Sequence, residues 1–278
     1  MTMPRFAAGD DPGASFPDLL RKLGIDPFPS TVRASGPDSG VRGSATDTSI
    51  PHATTCLALT YDGGVVMAGD RRATMGNIIS TRSVEKVVPA DDLSGVAIAG
   101  TAGLAMEMIK LFQLQLEHYE KVEGQMLSLE GKANQLSMLV RGNLPAAMQG
   151  MVVVPIFAGF DLASGTGRLW DYDPTGGRYE EREFVATGSG SLHAGTVVKV
   201  GWRANLSEDD AVHLAVRALW EAADADSATG GPDALRGIYP VTATITANGW
   251  SRVNDSRLAG IVESIVDEQR QRNGGDPR

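Results

Sequence analysis

The chain changes character once, between residues 53 and 54, and that boundary limits what can fold. Residues 1–53 hold seven of the 14 prolines, with Gly, Ser and Asp filling most of the gaps. A segment of that kind buries too little apolar surface to offset its ordering entropy. From Thr55 onward the texture is different: TCLALT, the turn DGG and VVMAGD read as a β-hairpin. One piece of the leading segment departs from its surroundings. SFPDLLRKLGI places Phe16, Leu19, Leu20 and Leu23 on one helical face. Two readings stand: a chance helix in a disordered tail, or a pro-segment whose short amphipathic helix docks on a surface.

After the hairpin, NIIS, KVV and LSGVAIAG read as further strands. A long helix follows from TAGLAMEMIK, with Leu104, Met108, Leu111 and Phe112 at helical spacing and Gly124 as its stop. A second helix is predicted from about Ser128 to Gln149, its apolar face carrying Leu136, Leu139 and Val140. MVVVPIFAGFD, GRLWDYD and RYEEREFVA return to strands. Helices are then expected from roughly Ser191 to Trp202 and through SEDDAVHLAVRALWEAADAD, where Ser207 and Asp210 form a capping box. VTATITA and WSRVN bracket an Asn-Gly turn, and Leu258, Ile261, Val262, Ile265 and Val266 line a last helix. The strands come in antiparallel blocks rather than alternating singly with helices, which argues against a doubly wound sheet. Two antiparallel sheets facing each other, with helices outside both, accommodate every element.

Composition excludes several classes of function. With 278 residues, 42% of them hydrophobic, the chain can bury a sizeable core. No run of 18 apolar residues occurs, so no membrane-spanning helix is predicted, and the N-terminus carries no apolar core of a secretory signal. Cys56 is the only cysteine, which rules out a disulfide within the chain and fits a reducing cytoplasm. A net charge of -9 without a basic stripe argues against a nucleic-acid partner. The four histidines form no metal-ligand pattern, so neither a metal nor a cofactor is expected.

Most candidate motifs have a plainer reading. GSGSLHAG, Gly188 to Gly195, resembles a phosphate loop only faintly, because His193 stands where the dinucleotide fingerprint needs glycine. A tight turn at a helix start explains it better. Cys56 lies mid-strand and reads as a buried structural thiol. Arg71 and Arg72 can form a solvated turn. Lys86 inside VEKVV is less comfortable: such a lysine faces water at a sheet edge or points into a cleft opposite an acid.

Taken together, these residues resemble a proteasome β subunit. The likeness rests on Thr54-Thr55 opening a hairpin, GDRR sixteen residues on, the lone Lys86 after a further sixteen, and IAGTAG before a long helix. GSGS and DSATGG fit the same family, and the match runs from Thr54 to about Ala259. LEHYEK, VRGNL and DSATGGPD are similar to the actinobacterial branch. The resemblance implies an α+β fold, a four-layer αββα sandwich of two antiparallel sheets flanked by helices. It implies that residues 1–53 are a propeptide and that 54–278 form the catalytic domain, with a short polar tail from about 271. Thr54 as first mature residue places Asp70, Lys86 and Gly100 where the family keeps its acid, its lysine and its oxyanion glycine; Thr55 in that role breaks all three.

The implied chemistry is that of a threonine endopeptidase. An N-terminal threonine supplies its own base, the α-amine, whose reference pKa of about 7.7–8.0 suits general-base work. Lys86, held as ammonium by Asp70, keeps that amine neutral by like-charge repulsion, and the Gly100 N–H receives the oxyanion. Ser189, Asp226 and Thr229 correspond to the family's supporting serine, aspartate and second hydroxyl, the last a serine in most members. Ala53 replaces the usual glycine at the self-cleaved Ala53–Thr54 bond, and its methyl either slows that step or is tolerated. Ala73, Val84, Val88, Ile98 and Ala102 would line an apolar pocket beside the nucleophile. The backbone of Thr74, Gly100 and Ala102 would pair with an extended peptide.

The implied partners are proteasome α subunits and further β copies in stacked seven-membered rings, a ring-shaped ATPase, and unfolded proteins tagged with a prokaryotic ubiquitin-like protein, all in the cytoplasm. Three alternatives remain at this stage: a non-catalytic ring subunit, the bacterial two-ring relative that uses another ATPase, and an unrelated N-terminal-nucleophile amidohydrolase.

Overall fold

A computed structural model of the chain describes residues 54–75, 78–272 and 274, with the side chain of Met75 excepted. The amphipathic stretch expected at Phe16 to Leu23, the bond at Ala53 and most of the expected tail lie outside the described residues.

Two five-stranded sheets, antiparallel throughout, carry the fold. In the first, β1 (Thr55–Tyr61) lies between β10 (Phe184–Gly188) and β2 (Gly64–Gly69), and β11 (Val241–Thr246) and β12 (Gly249–Arg252) follow beside β2. In the second, β5 (Val87–Asp91), β6 (Ser94–Gly100), β7 (Val153–Asp161), β8 (Thr166–Tyr172) and β9 (Arg178–Glu181) pair in chain order. A small ribbon of β3 (Ala73–Met75) and β4 (Ile78–Thr81) stands apart from both.

Alternation along the strands sorts their side chains into separate cores. Cys56 and Ala58 of β1 and Val65 and Met67 of β2 pack between the sheets, against Ala97, Ile156, Ala158 and Leu169. Their neighbours Leu57, Leu59, Val66 and Ala68 face the other way, onto α4 (Ser191–Gly201), α5 (Glu208–Ala225) and α6 (Asp255–Arg272). In the second sheet Val96, Val153, Phe157 and Trp170 meet α1 (Ala102–Glu123) and α2 (Leu129–Gly142). Burial on both faces explains why TCLALT and GVAIAG are nearly continuous apolar runs rather than strict alternations. Phe157 anchors its side, edge-on to Phe112 and tilted over Trp170.

Some local expectations needed correction. The helix predicted from Ser128 to Gln149 breaks: α2 ends at Gly142 and α3 (Leu144–Ala147) restarts the chain. Pro145 is the cause, since it lacks an N–H and its ring would clash with the Arg141 carbonyl. Leu111 is 46% exposed, and the buried stripe of α1 runs instead through Ala105, Met108, Ile109, Phe112 and Leu116. The turn after β11 consists of Ala247 and Asn248, because Gly249 already pairs with Thr246. RYEEREFVA divides between the two sheets, β9 in one and β10 in the other. The Ser207 hydroxyl accepts from the Asp210 N–H, as expected of an N-cap, but Asp210 accepts from that hydroxyl rather than from the Ser207 backbone. Helix α6 extends through Gln271 and Arg272, the first residues of the expected tail.

One buried charge supports the α1–α2 side. Lys132 of α2, 3% exposed, reaches Asp91 at 2.6 Å, and Asp91 also accepts from the Leu93 N–H and the Ser94 hydroxyl. Removing one member of such a pair leaves the other charge uncompensated, at a cost of about 3–5 kcal/mol when both are sealed. Asp91→Ala is therefore expected to cost several-fold more stability than Lys132→Met, which leaves a partly exposed carboxylate still holding two donors. Urea unfolding of the two variants checks the order.

Candidate active site

Strand β1 begins at Thr55, so Thr54 sits at the mouth of the first sheet, pinned before the strand starts. Its carbonyl accepts the Ser189 N–H at 2.9 Å, from the turn that links β10 to α4. That approach needs glycine at 188: φ is +98°, and an added Cβ would lie 1.9 Å from the Thr54 oxygen. Thr54 is buried, 4% exposed in the full-length chain.

Asp70 follows β2 and is completely buried. Its Oδ1 accepts the Thr55 N–H at 2.9 Å and the Lys86 Nζ at 2.6 Å. Its Oδ2 accepts the N–H groups of Arg72 and Gly230, both at 2.9 Å. A carboxylate removed from water retains its charge only when so compensated. Lys86 lies just before β5, 4% exposed, and its ammonium also donates to the Arg72 carbonyl at 2.6 Å. Of the two readings open for this lysine, the cleft opposite an acid is the one found.

Thr54 and Lys86 line one cavity of about 180 Å³. Ala73, Thr74, Val84, Ile98, Gly100 and Ala102 line it too. Val88 does not; it packs into the core under α1. Ala99, Thr101, Ala105 and Met106 complete the wall, so the first turns of α1 supply more of it than the resemblance assigned. Glu85 adds a carboxylate at the rim, held by Arg252 at 2.6 Å, where only uncharged residues were expected. Gly100 has φ +117°, and an added Cβ would meet the Val152 oxygen at 2.1 Å. The next N–H, that of Thr101, is committed to the Val152 carbonyl.

Ser189, Asp226 and Thr229 also come together. The Ser189 and Thr229 hydroxyls donate to the same Asp226 oxygen, at 2.5 and 2.6 Å. Partial burial pushes the Asp226 carboxyl up, but the two hydroxyls and the Ala228 N–H together outweigh it and hold the group below its usual range. The network reaches Thr54 through Ser189, whose hydroxyl lies 3.4 Å from the Thr54 carbonyl. Cys56 stays outside the chemistry: burial pushes its thiol up to about 12, and it donates to the Ile98 carbonyl. GSGSLHAG is the helix-start turn expected, with Gly190 as the N-cap of α4.

Three participants escaped the sequence reading. The Arg72 and Gly230 amides act through backbone alone, which no residue type announces. The third is Thr55, whose side-chain bonds join β1 to the Asp226 loop.

Among the described residues no helix is long and apolar enough to cross a membrane, and no group of acids, histidines or cysteines could hold a metal ion. Comparison with known proteins gives two concordant findings. A family described as "Proteasome subunit" matches residues 50–235. The chain is also similar to a "Proteasome subunit beta" from Acidimicrobium ferrooxidans, 53% identical over 98% of this chain and 96% of that protein. Fold, site spacing and these matches agree, and the chain belongs to the proteasome subunit family.

Proposed function

We propose that this chain is the catalytic β subunit of a cytoplasmic proteasome, a threonine endopeptidase with Thr54 as nucleophile. The observation that carries the reading is one cavity lined by Thr54 and by a Lys86 paired with a fully buried Asp70. A subunit that only fills a ring has no use for a desolvated ion pair beside a threonine.

Maturation comes first in this reading. The Thr54 hydroxyl attacks the Ala53 carbonyl carbon, the chain shifts from nitrogen to oxygen, and water opens the resulting ester. Residues 1–53 leave as the propeptide, and residues 54–278 remain with a new α-amine. In peptide hydrolysis that amine takes the hydroxyl proton as the oxygen attacks the scissile carbonyl. The Lys86 ammonium keeps the amine neutral, the Gly100 N–H receives the oxyanion, and Ser189 with Asp226 and Thr229 steadies the amine side. The acyl ester then yields to water. The apolar wall of Ala73, Val84, Ile98 and Ala102 favours cleavage after apolar residues, and the Thr74, Gly100 and Ala102 backbone supports strand-like pairing of the peptide.

As a family member the chain is a component of a multi-subunit proteasome. Its proposed setting is a seven-membered β ring, doubled, flanked by α-subunit rings and fed unfolded, prokaryotic ubiquitin-like protein-tagged substrates by a ring ATPase. The three cores, one between the sheets and one under the helices of each, support the four-layer αββα arrangement.

Thr54→Ala should abolish both peptide hydrolysis and loss of residues 1–53, because one hydroxyl performs both. Intact mass and a fluorogenic peptide read the two outcomes, and full activity in this variant would refute the assignment.

Lys86→Arg is expected to fail nearly as badly as Lys86→Ala. A planar guanidinium cannot sit as a point charge 2.6 Å from both the Asp70 carboxylate and the Arg72 carbonyl. Steady-state hydrolysis of the two variants settles it; near-normal turnover with arginine leaves Lys86 a structural partner only.

Asp226 supplies a pH test. A depressed carboxyl contributes stability that is present above its ordinary value of 3.8 and is lost as pH falls through the lower folded value. Asp226→Asn should therefore lower the melting temperature near neutrality, with the deficit shrinking below about pH 4. Thermal scans from pH 3 to pH 7, roughly one unit apart, check the sign.

A further inference from the structure

Thr55 is fully buried, and its hydroxyl occupies a fixed place in the polar network. It lies 2.5 Å from the Thr229 hydroxyl and accepts the Gly190 N–H at 3.1 Å. The proton positions follow from the acceptor at the end. Thr229 has one hydroxyl proton, and it goes to the Asp226 carboxylate at 2.6 Å. The Thr55 hydroxyl must then donate to Thr229. The result is a one-way chain, from the Gly190 N–H through Thr55 and Thr229 to Asp226, where the Ser189 hydroxyl also converges.

The link is closely packed. A Cβ at position 190 would fall 2.4 Å from the Thr55 hydroxyl and 2.7 Å from that of Thr229, so only glycine lets the backbone approach both hydroxyls. The backbone of Thr55 is used as well, its N–H on Asp70. One residue thus joins the Asp70–Lys86 pair to the Ser189–Asp226–Thr229 cluster.

We propose that Thr55 is a positioning residue for the Thr54 reaction: its hydroxyl registers the Asp226–Gly230 loop and the Gly188–Ser191 turn against the nucleophile. Without that hydroxyl the buried Gly190 N–H loses its acceptor, and the Thr229 oxygen loses its donor while keeping its bond to Asp226. The loop relaxes, Ser189 loses its aim, and the Gly230 N–H moves relative to Asp70. The inference rests on Thr54 being the nucleophile and assigns no bond-making step to Thr55.

The experiment uses the full-length chain in the assembled particle. Thr55→Val keeps the shape and removes the hydroxyl, and Thr55→Ser keeps the hydroxyl. The valine variant is expected to lose about 10–100-fold in kcat per processed chain, with a matching slowdown in loss of residues 1–53, as unpaired buried groups imply. KM should stay within about two-fold, because the substrate wall is untouched. Serine should restore kcat to within a few-fold. A merely structural role would lower the melting temperature and leave kcat per processed chain unchanged, and that result overturns the inference. So does failure of serine to rescue. Combining Thr55→Val with Thr229→Val should cost little more than either alone, since both cut one chain, whereas additive losses count against it. If valine prevents folding, Thr55→Ala replaces it in the same comparisons. Activity in Thr54→Ala would sink the underlying reading instead, so the two failures stay distinct.

Discussion

A fully buried carboxylate, Asp70, governs how this site can exist. It takes four donors from separate places in the chain: the start of β1, the residue after next, Lys86 before β5, and the Gly230 loop. Burying an ion pair this deeply is seldom a net gain in stability, because desolvation offsets the attraction. What the arrangement supplies is definition. Each donor has to be within hydrogen-bond reach or the charge is left unsatisfied, so the carboxylate fixes the distances among segments that share no regular pairing. The cavity, the lysine and the first strand inherit their relative positions from it.

The polar side of the site depends on a second carboxylate in a milder setting. Asp226 is partly exposed and gathers two hydroxyls on a single oxygen. It can be that short-handed because solvent helps, whereas Asp70 cannot. Two acids of the same type thus act differently: one holds a cation in place, the other orders hydroxyl protons. The difference lies in burial, as in other sites where neighbouring carboxylates divide their tasks.

Much of this was legible in the sequence because regular spacing and rare residue types were involved. A lysine in an apolar stretch and an aspartate ending a strand are conspicuous, and the two successive steps of sixteen residues, Thr54 to Asp70 and Asp70 to Lys86, made the constellation readable. Strand identities followed from apolar runs and turns. What escaped was carried by backbone or by three-dimensional adjacency. The amides of Arg72 and Gly230 have no sequence signature, and Thr55 looks like any β-branched residue of a strand until Thr229 is seen 2.5 Å away. The change of sheet between β9 and β10 leaves no periodic trace, since both halves are short and polar at the junction. The break at Pro145 was announced by the proline itself, and strong apolar spacing before it outweighed the signal. Val88 missed the cavity because pocket walls depend on how α1 leans, which strand alternation does not encode.

The clamp on the Thr54 carbonyl has an entropic side. Chain ends ordinarily fray, and an end created by cutting has no reason to stay where it was. Here the residue next to the proposed cut leads into a strand flanked on both sides, with its carbonyl already held by the Ser189 amide. Severing the chain at that point would therefore create a terminus that is rigid from the moment it forms. Its conformational freedom was surrendered when the whole domain folded, so little remains to be lost when a reacting group must be held still.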